Sequence, residues 1–152
     1  MLLTGTFSRS IDEKQRVTIP KELRAALGEA SGGVFYVAPG TDGSLAIYDE
    51  GSFLQLAGRF SSASPTGRDV RAFGRLFYAQ ARRTELDKQG RLRVPPELSQ
   101  WAALSNDAVL VGVGDHMELW ELQRWDQYTT ERRGHYDELA ESAFGEPQRP
   151  GS

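Results

Sequence analysis

Two short segments of this chain carry an acidic and a basic residue at the same spacing. Asp12 precedes Arg16 by four positions, and Asp87 precedes Arg91 by four positions. An aspartate that opens a turn accepts hydrogen bonds from backbone N–H groups two residues on, and its carboxylate can hold a guanidinium in a fixed orientation. A guanidinium held in this way presents planar donors that suit a phosphate or a guanine edge. The pattern predicts a nucleic-acid contact; the simpler alternative is that each pair only fixes its turn.

Further basic residues lie within or just after the two turns. Lys14 belongs to the first turn and Lys88 to the second, and Arg93 follows the second. Arg93 alternates with Leu92 and Val94, so we expect it on the face of its strand opposite the core. A solvated surface arginine is the alternative. The complete set of residues predicted to form the nucleic-acid contact is Asp12, Lys14, Arg16, Asp87, Lys88, Arg91 and Arg93.

The net charge of −3 argues mildly against a nucleic-acid partner, but its distribution does not. Residues 1–100 hold 14 Lys and Arg against 11 Asp and Glu, a net of +3, whereas residues 101–152 hold 4 against 10, a net of −6. Either basic and acidic surfaces are segregated, or an ordinary solvated surface ends in an acidic tail. Arg9, Arg82 and Arg83 precede the two turns. They either extend the basic surface or act as solubilising charges.

Catalytic chemistry finds little support in the sequence. The two histidines, His116 and His135, show no metal-binding spacing, and no Gly-x-Ser-x-Gly segment is present. No helix is predicted after Gly112-Val113-Gly114, so it is not a dinucleotide loop. We therefore expect neither an enzyme nor a cofactor nor a metal. The absence of cysteine fits a reducing cytoplasm, and neither a signal peptide nor an apolar run of membrane-spanning length is evident.

The two turns belong to a longer internal repeat. Residues 12–23 align with residues 87–98 at an offset of 75, with Asp, Arg, Pro, Glu and Leu at matching places. The match continues in residues 34–37 with 109–112 and, after a three-residue shift, 45–48 with 117–120. The aromatic residues Tyr48, Phe53, Trp120 and Trp125 occupy repeat-equivalent places and are expected in the core or an interface.

Each unit is predicted to contain strand, turn, strand, short helix and two further strands. The strands predicted in the first unit are residues 6–11, 16–19, 34–38 and 45–48. Its short helix begins at Pro20 and ends at Gly28. Longer helices are predicted over residues 50–60 and 68–76, and from after Trp120 to about Phe144, with Gly134 as a weak point. We assign residues 1–77 and 78–144 to the two units and residues 145–152 to a disordered tail.

One unit is too short to bury its strands alone. Two copies placed face to face across a pseudo-two-fold axis can do so, which predicts an α+β fold with a mostly β core and flanking helices.

These motifs together resemble the MraZ family of bacterial transcriptional regulators, in the AbrB/MazE swapped-hairpin superfamily. The resemblance covers about residues 1–140. The residues and segments that carry it are Gly5-Thr6-Phe7, Asp12-x-x-x-Arg16-x-x-x-Pro20, Arg24, Leu86-Asp87-Lys88-Gln89-Gly90-Arg91-x-x-x-Pro95, Val109-Leu110-Val111-Gly112, and Met117-Glu118-Leu119-Trp120 with Trp125.

The resemblance implies two swapped-hairpin half-units that form a small barrel-like core. It also implies self-association into a ring that binds repeated elements of double-stranded DNA in the promoter of the division and cell-wall gene cluster. Such proteins usually act as repressors of that cluster and are nucleoid-associated; no membrane or small-molecule partner is expected. The alternative is an antitoxin-like protein-interaction module that binds through its C-terminal helix.

One residue departs from the family pattern. Gln15 stands where the first turn of the family commonly has glycine, whereas Gly90 keeps the glycine in the second turn. If this position adopts a positive φ, Gln15 either strains the first turn or reshapes it.

Overall fold

A computed structural model describes residues 2–27, 33–63 and 66–145. Within these ranges the chain forms eight strands and six helices, which confirms the predicted α+β class. The strands are β1 (Thr6–Ser10), β2 (Arg16–Thr18), β3 (Val34–Pro39), β4 (Leu45–Asp49), β5 (Arg82–Glu85), β6 (Arg91–Arg93), β7 (Asp107–Gly112) and β8 (Met117–Glu121). The helices are α1 (Lys21–Leu27), α2 (Glu50–Ser62), α3 (Arg68–Gln80), α4 (Pro96–Trp101), α5 (Leu122–Arg133) and α6 (Tyr136–Phe144).

Most predicted elements are present, with ends that differ by a few residues. Helix α3 continues four residues beyond the predicted end at Leu76, to Gln80. The predicted helix end at Gly28 and the predicted disordered tail, apart from Gly145, lie outside the described residues.

The strands form a six-stranded antiparallel sheet and a separate two-stranded ribbon. The sheet order is β1-β7-β8-β4-β3-β5, and β2 pairs with β6 in the ribbon. The first strand of each repeat therefore pairs in the other half: β1 with β7, and β5 with β3. If every strand is exchanged with its counterpart in the other repeat, the result is the same strand order, read from the opposite edge of the sheet. The pseudo-two-fold symmetry was predicted from the duplication, and the swapped hairpins are those that the family resemblance implied.

The ribbon contacts the two edge strands of the sheet, β1 and β5. A continuous apolar core fills the space that they enclose. Val17 and Leu92, the central residues of the ribbon strands, are completely buried. Because burying one aliphatic side chain contributes about 1.5–3 kcal/mol, these two residues anchor the ribbon and fix which of its faces points outward.

A second apolar cluster lies on the other face of the sheet, beneath α2 and α3. Ala46 and Tyr48 of β4 belong to it, whereas the alternating Leu45 and Ile47 belong to the central core. Phe53 of α2 stacks on Tyr36 with ring centroids 4.2 Å apart. Further members and neighbours are Ala38, Leu56, Phe60, Phe77 and Ala81. The predicted core positions of Tyr48 and Phe53 are confirmed.

The chain separates into a large compact unit that extends to Leu122 and a small one from Gln123 onward. The small unit contains most of α5 and all of α6, which are separated at Gly134 and His135, so the predicted weak point is confirmed. The boundary at residues 77 and 78 divides the chain by sequence repeat, and it stays a prediction. No helix in the described ranges has the length and apolar character needed to cross a membrane.

Candidate nucleic-acid interface

The first turn is closed by one aspartate that accepts three hydrogen bonds. Oδ1 of Asp12 accepts from the backbone N–H groups of Lys14 at 3.0 Å and Arg16 at 2.8 Å. Oδ2 accepts from Nε of Arg16 at 2.7 Å. The backbone N–H of Asp12 also donates to the carbonyl of Arg16 at 3.0 Å. The predicted pairing of aspartate and arginine is therefore present, and both aspartate oxygens are occupied.

The second turn has the same geometry. Oδ1 of Asp87 accepts from the N–H groups of Gln89 and Arg91, each at 2.9 Å. Oδ2 accepts from Nε of Arg91 at 2.7 Å, and the N–H of Asp87 donates to the carbonyl of Arg91 at 3.0 Å. Side-chain exposure also agrees, at 27% for Arg16 and for Arg91. The two copies present their arginines in equivalent poses.

Gln15 does not reshape the first turn. It has φ of 62°, close to the 75° of Gly90 at the same place in the second turn. A non-glycine residue in this left-handed region costs roughly 1–2 kcal/mol. Of the two expectations for Gln15, the structure supports local strain within an unchanged turn. The side chain is also used, because Oγ of Ser99 donates to its Oε1 at 3.2 Å.

The outer donors of the two turn arginines are free of protein partners. Each Nε is bonded to its aspartate, and within the described ranges the Nη groups of Arg16 and Arg91 have no hydrogen-bond acceptor. Arginine carries five N–H donors in a fixed planar fork. Each turn therefore holds a partly exposed guanidinium whose terminal donors are available to a phosphate or a base edge.

The ribbon gathers these arginines on one face. Arg16 lies opposite Arg93 and Thr18 lies opposite Arg91 in its antiparallel register. Arg93 is exposed while Leu92 beside it is buried, so the predicted orientation of Arg93 is confirmed. Like charges placed directly opposite one another destabilise a strand pair. The Arg16–Arg93 pair is therefore a place where a bound anion would relieve repulsion.

The other basic residues divide into two groups. Arg9 reaches the ribbon, because its Nε donates to the carbonyl of Thr18 at 3.1 Å. Arg82 donates instead to the carbonyls of Ala79 and Ala81, and Arg83 pairs with Glu85 at 3.3 Å. Lys14 and Lys88 are exposed, and neither forms an ion pair among the described residues. Of the three flanking arginines, Arg9 is the one that forms a hydrogen bond with the ribbon among the described residues.

Both turn aspartates are held in their charged form. At Asp12, partial desolvation acts to raise the pKa, but the hydrogen bonds from Arg16 and Lys14 together outweigh it and leave the pKa below its ordinary value. At Asp87, the backbone N–H of Arg91 is the largest influence and lowers the pKa against desolvation. Each carboxylate therefore keeps its arginine in place at neutral pH.

Two residues outside the predicted set complete the turns from the opposite repeat. Ser99 of α4 bonds to Gln15, and the guanidinium of Arg24 in α1 covers Gly90 so closely that a Cβ there would lie 2.5 Å from Nη1. Arg24 and Ser99 are counterparts at the repeat offset of 75. Continuing the alignment one residue beyond Leu23 and Leu98 would have paired them.

Each of the two histidines contacts one acidic side chain. Nδ1 of His116 is 2.7 Å from Oδ1 of Asp115, and its ring stacks on Tyr48. His135 contacts Glu138 at 3.1 Å. Across the described parts of the chain, no three residues of the metal-binding types form a group that could hold a metal ion.

Fold and site together define a duplicated swapped-hairpin protein with two aspartate-held arginine turns on a basic ribbon. The family described as "MraZ protein, putative antitoxin-like" matches residues 2–76 and 77–146. The chain belongs to the MraZ family.

Curated relatives share this name. The protein called transcriptional regulator MraZ in Finegoldia magna is 34% identical over 140 residues, which are 92% of this chain and 95% of the relative. Those of Lactiplantibacillus plantarum and Heliobacterium modesticaldum are 38% and 37% identical, over 91% and 92% of this chain and 95% of each relative. The family is one of transcriptional regulators and not of enzymes, as the sequence predicted.

Proposed function

We propose that this chain is a sequence-specific DNA-binding transcriptional regulator whose two turns contact double-stranded DNA. One observation carries the proposal: two turns of the same geometry hold Arg16 and Arg91 by Nε and leave their terminal donors free on one face. A structural role alone would be served by the aspartates, which already close each turn through backbone N–H groups. The held guanidinium adds a pre-oriented donor, which lowers the entropy lost on binding.

The proposed contacts divide by geometry. Arg16 and Arg91, fixed by their aspartates, suit recognition of a guanine edge, for which a bidentate contact contributes about 1–3 kcal/mol of discrimination. Lys14, Lys88 and Arg93 are exposed and form no ion pair with a described carboxylate, so they suit phosphates, which fix register without reading sequence. Asp12 and Asp87 act as positioning residues.

We further propose that the protein assembles into a ring and binds repeated promoter elements. Exposed apolar residues on α2 and α3 support self-association: Leu54 is 64% exposed, Leu76 is 60% and Phe73 is 50%. A contiguous apolar patch on a protein surface marks an interface, and we propose that these three residues belong to such a patch. Linking several weak reading units on one scaffold raises affinity through effective concentration.

We propose that the regulated target is the division and cell-wall gene cluster and that the protein represses it. We also propose that the protein is cytoplasmic and associated with the nucleoid. This proposal rests on family membership. It is compatible with the acidic net charge, since residues 1–100 carry +3 and residues 101–152 carry −6.

The proposal is tested by measuring binding to a duplex from the region upstream of the protein's own gene. Fluorescence anisotropy compares wild type with Arg91→Ala and with the control Arg75→Ala, which removes an exposed arginine from α3. We expect Arg91→Ala to abolish binding with little change in melting temperature or assembly, and Arg75→Ala to bind as wild type. Unaltered affinity of Arg91→Ala at matched salt would remove the central assignment.

A second candidate function is an antitoxin-like protein-interaction module. It is favoured by apolar residues on α6: Tyr136 is 74% exposed, Leu139 is 49% and Phe144 is 91%. Recovery of a protein partner in stoichiometric amount, together with no retention of the upstream duplex, would favour this function over DNA binding.

A further inference from the structure

The second turn contains a cation from the other repeat that the first turn lacks. Arg24 lies in α1 of the first repeat, yet its guanidinium covers Gly90 of the second repeat. The atoms nearest to a Cβ built at Gly90 are Nη1, Cζ and Nε of Arg24. The two repeats also exchange backbone hydrogen bonds here, from the N–H of Ile19 to the carbonyl of Gly90 and from that of Val94 to Gln15. Each turn is therefore supported by the other repeat.

Arg24 has donors without acceptors. Its Nε is buried and has no hydrogen-bond partner, and the structure assigns no ion pair to its guanidinium among residues 2–27, 33–63 and 66–145. The carboxylate of Asp87, in the same turn as Gly90, already accepts three bonds, two of them from Arg91. A charged group that is partly removed from water without a partner is costly. An anion bound to another nitrogen of the guanidinium would supply the counter-charge that this group lacks among the described residues.

The equivalent place at the first turn is closed. Ser99, the counterpart of Arg24, is uncharged and is hydrogen-bonded to Gln15, the counterpart of Gly90. In each turn, the sizes of the two facing side chains therefore compensate for one another. The long Arg24 faces Gly90 in the second turn, and the small Ser99 faces Gln15 in the first. A glutamine at position 90 would occupy the space of the Arg24 guanidinium.

We propose that Arg24 is a DNA phosphate-binding residue of the second turn, so that this turn's site is built from both repeats. The contact is made through Nη2, the guanidinium nitrogen farthest from Gly90. This inference rests on the proposed DNA-binding function. It adds one phosphate contact at the second turn that has no equivalent at the first.

The first experiment compares Arg24→Ser, which copies the first turn, with Lys21→Ser, which removes one exposed charge from the same helix. The probe is the duplex from upstream of the protein's own gene, titrated at several salt concentrations. We expect Arg24→Ser to bind about tenfold more weakly and to lower the slope of log affinity against log salt by about 0.9. Lys21→Ser should change the slope by much less.

The outcomes distinguish a failure of the role proposed for Arg24 from a failure of the proposed DNA-binding function. If wild type fails to bind the duplex at any salt, the proposed function is wrong. If wild type binds and Arg24→Ser keeps both affinity and slope, only the role of Arg24 is wrong. Equal losses of slope in Arg24→Ser and Lys21→Ser would also overturn that role, since the effect would then be one of general charge. Melting temperatures of both variants identify any loss of folded protein.

A double-mutant cycle tests the dependence on glycine. Gly90→Ala adds a Cβ that displaces the Arg24 guanidinium, so we expect it to weaken binding in the wild-type background and to add little in the Arg24→Ser background. Equal losses in both backgrounds would assign the effect to the turn itself and contradict the proposal. The double variant Gln15→Gly with Ser99→Arg gives the first turn the residues of the second. It should raise the slope of log affinity against log salt by about 0.9.

Discussion

The two turns of this protein share a backbone and differ in what they present. Asp12 and Asp87 make the same three hydrogen bonds, and the residues at the left-handed position have φ of 62° and 75°. Residues 12–16 contain two acidic and two basic residues, a net of zero, whereas residues 87–91 contain one acidic and two basic residues, a net of +1. The aspartate fixes the shape of each turn, and the surrounding side chains are free to set its electrostatic strength.

The comparison predicts that the second turn contributes more to DNA binding. The largest effect is expected from Arg91→Ala, which should abolish binding at matched salt, against a loss of about tenfold for Arg16→Ala. Lys88 and Arg24 reinforce the second turn, while Glu13 opposes the first. Anisotropy titrations of both variants measure the difference. Equal losses would show that the two turns contribute alike.

A charge exchange between ribbon positions sharpens the same comparison. Thr18 and Arg93 are repeat counterparts on the exposed face of the ribbon. We expect Arg93→Thr to weaken binding several-fold and to lower the salt slope by about 0.9, and Thr18→Arg to raise the slope by a similar amount. If Thr18→Arg leaves the slope unchanged, the ribbon position opposite Arg91 does not approach the DNA backbone.

Substitutions at the two left-handed positions, 15 and 90, should change the free energy of unfolding by different amounts. Gly90→Ala introduces a side chain at positive φ against Arg24, and we expect it to lower the free energy of unfolding by about 1–2 kcal/mol. Gln15→Gly relieves strain but loses the Ser99 hydrogen bond, worth about 0.5–1.5 kcal/mol, so its net effect should lie within about 1 kcal/mol of zero. Urea denaturation measures both. A large destabilisation by Gln15→Gly would show that Gln15 is structurally required.

The smallest predicted effect is in the acid titration of the two turn aspartates. The pKa values of Asp12 and Asp87 are both lowered from 3.8 in the folded protein. A lowered folded-state pKa contributes stability that is present above the unfolded value of 3.8 and is lost as pH falls through the folded value. Carboxyl carbon NMR should therefore find both residues titrating below 3.8. An ordinary titration of Asp12 alone would reveal that Gln15 weakens the first turn in solution.

The internal repeat made the fold predictable in outline. Short strands, Pro-opened helices and two-fold symmetry followed from the alignment of residues 12–23 with 87–98. Local pattern does not reveal which half a strand joins, because β1 pairs with residues about a hundred positions away. The exchange of first strands therefore came from the family resemblance and not from periodicity.

The candidate site was only partly predictable for a similar reason. The aspartate–arginine pairs are local and were visible as spacing, and the orientation of Arg93 followed from alternation. Arg24 and Ser99 act across the repeat boundary, and their relevance depends on a helix of one repeat lying beside the turn of the other. Gln15 keeps the turn shape that glycine is expected to favour, because strain of about 1–2 kcal/mol is tolerable where other bonds define the turn.

The exchange of first strands has a consequence for synthesis. Thr6–Ser10 leaves the ribosome first, but its partner Asp107–Gly112 is made about a hundred residues later. At roughly 5–20 residues per second the first strand waits for about 5–20 seconds with its edge unpaired. During that interval the nascent N-terminal half exposes a β-edge that can pair with a neighbouring chain on the same messenger, so translation speed bears on how much protein reaches the native fold.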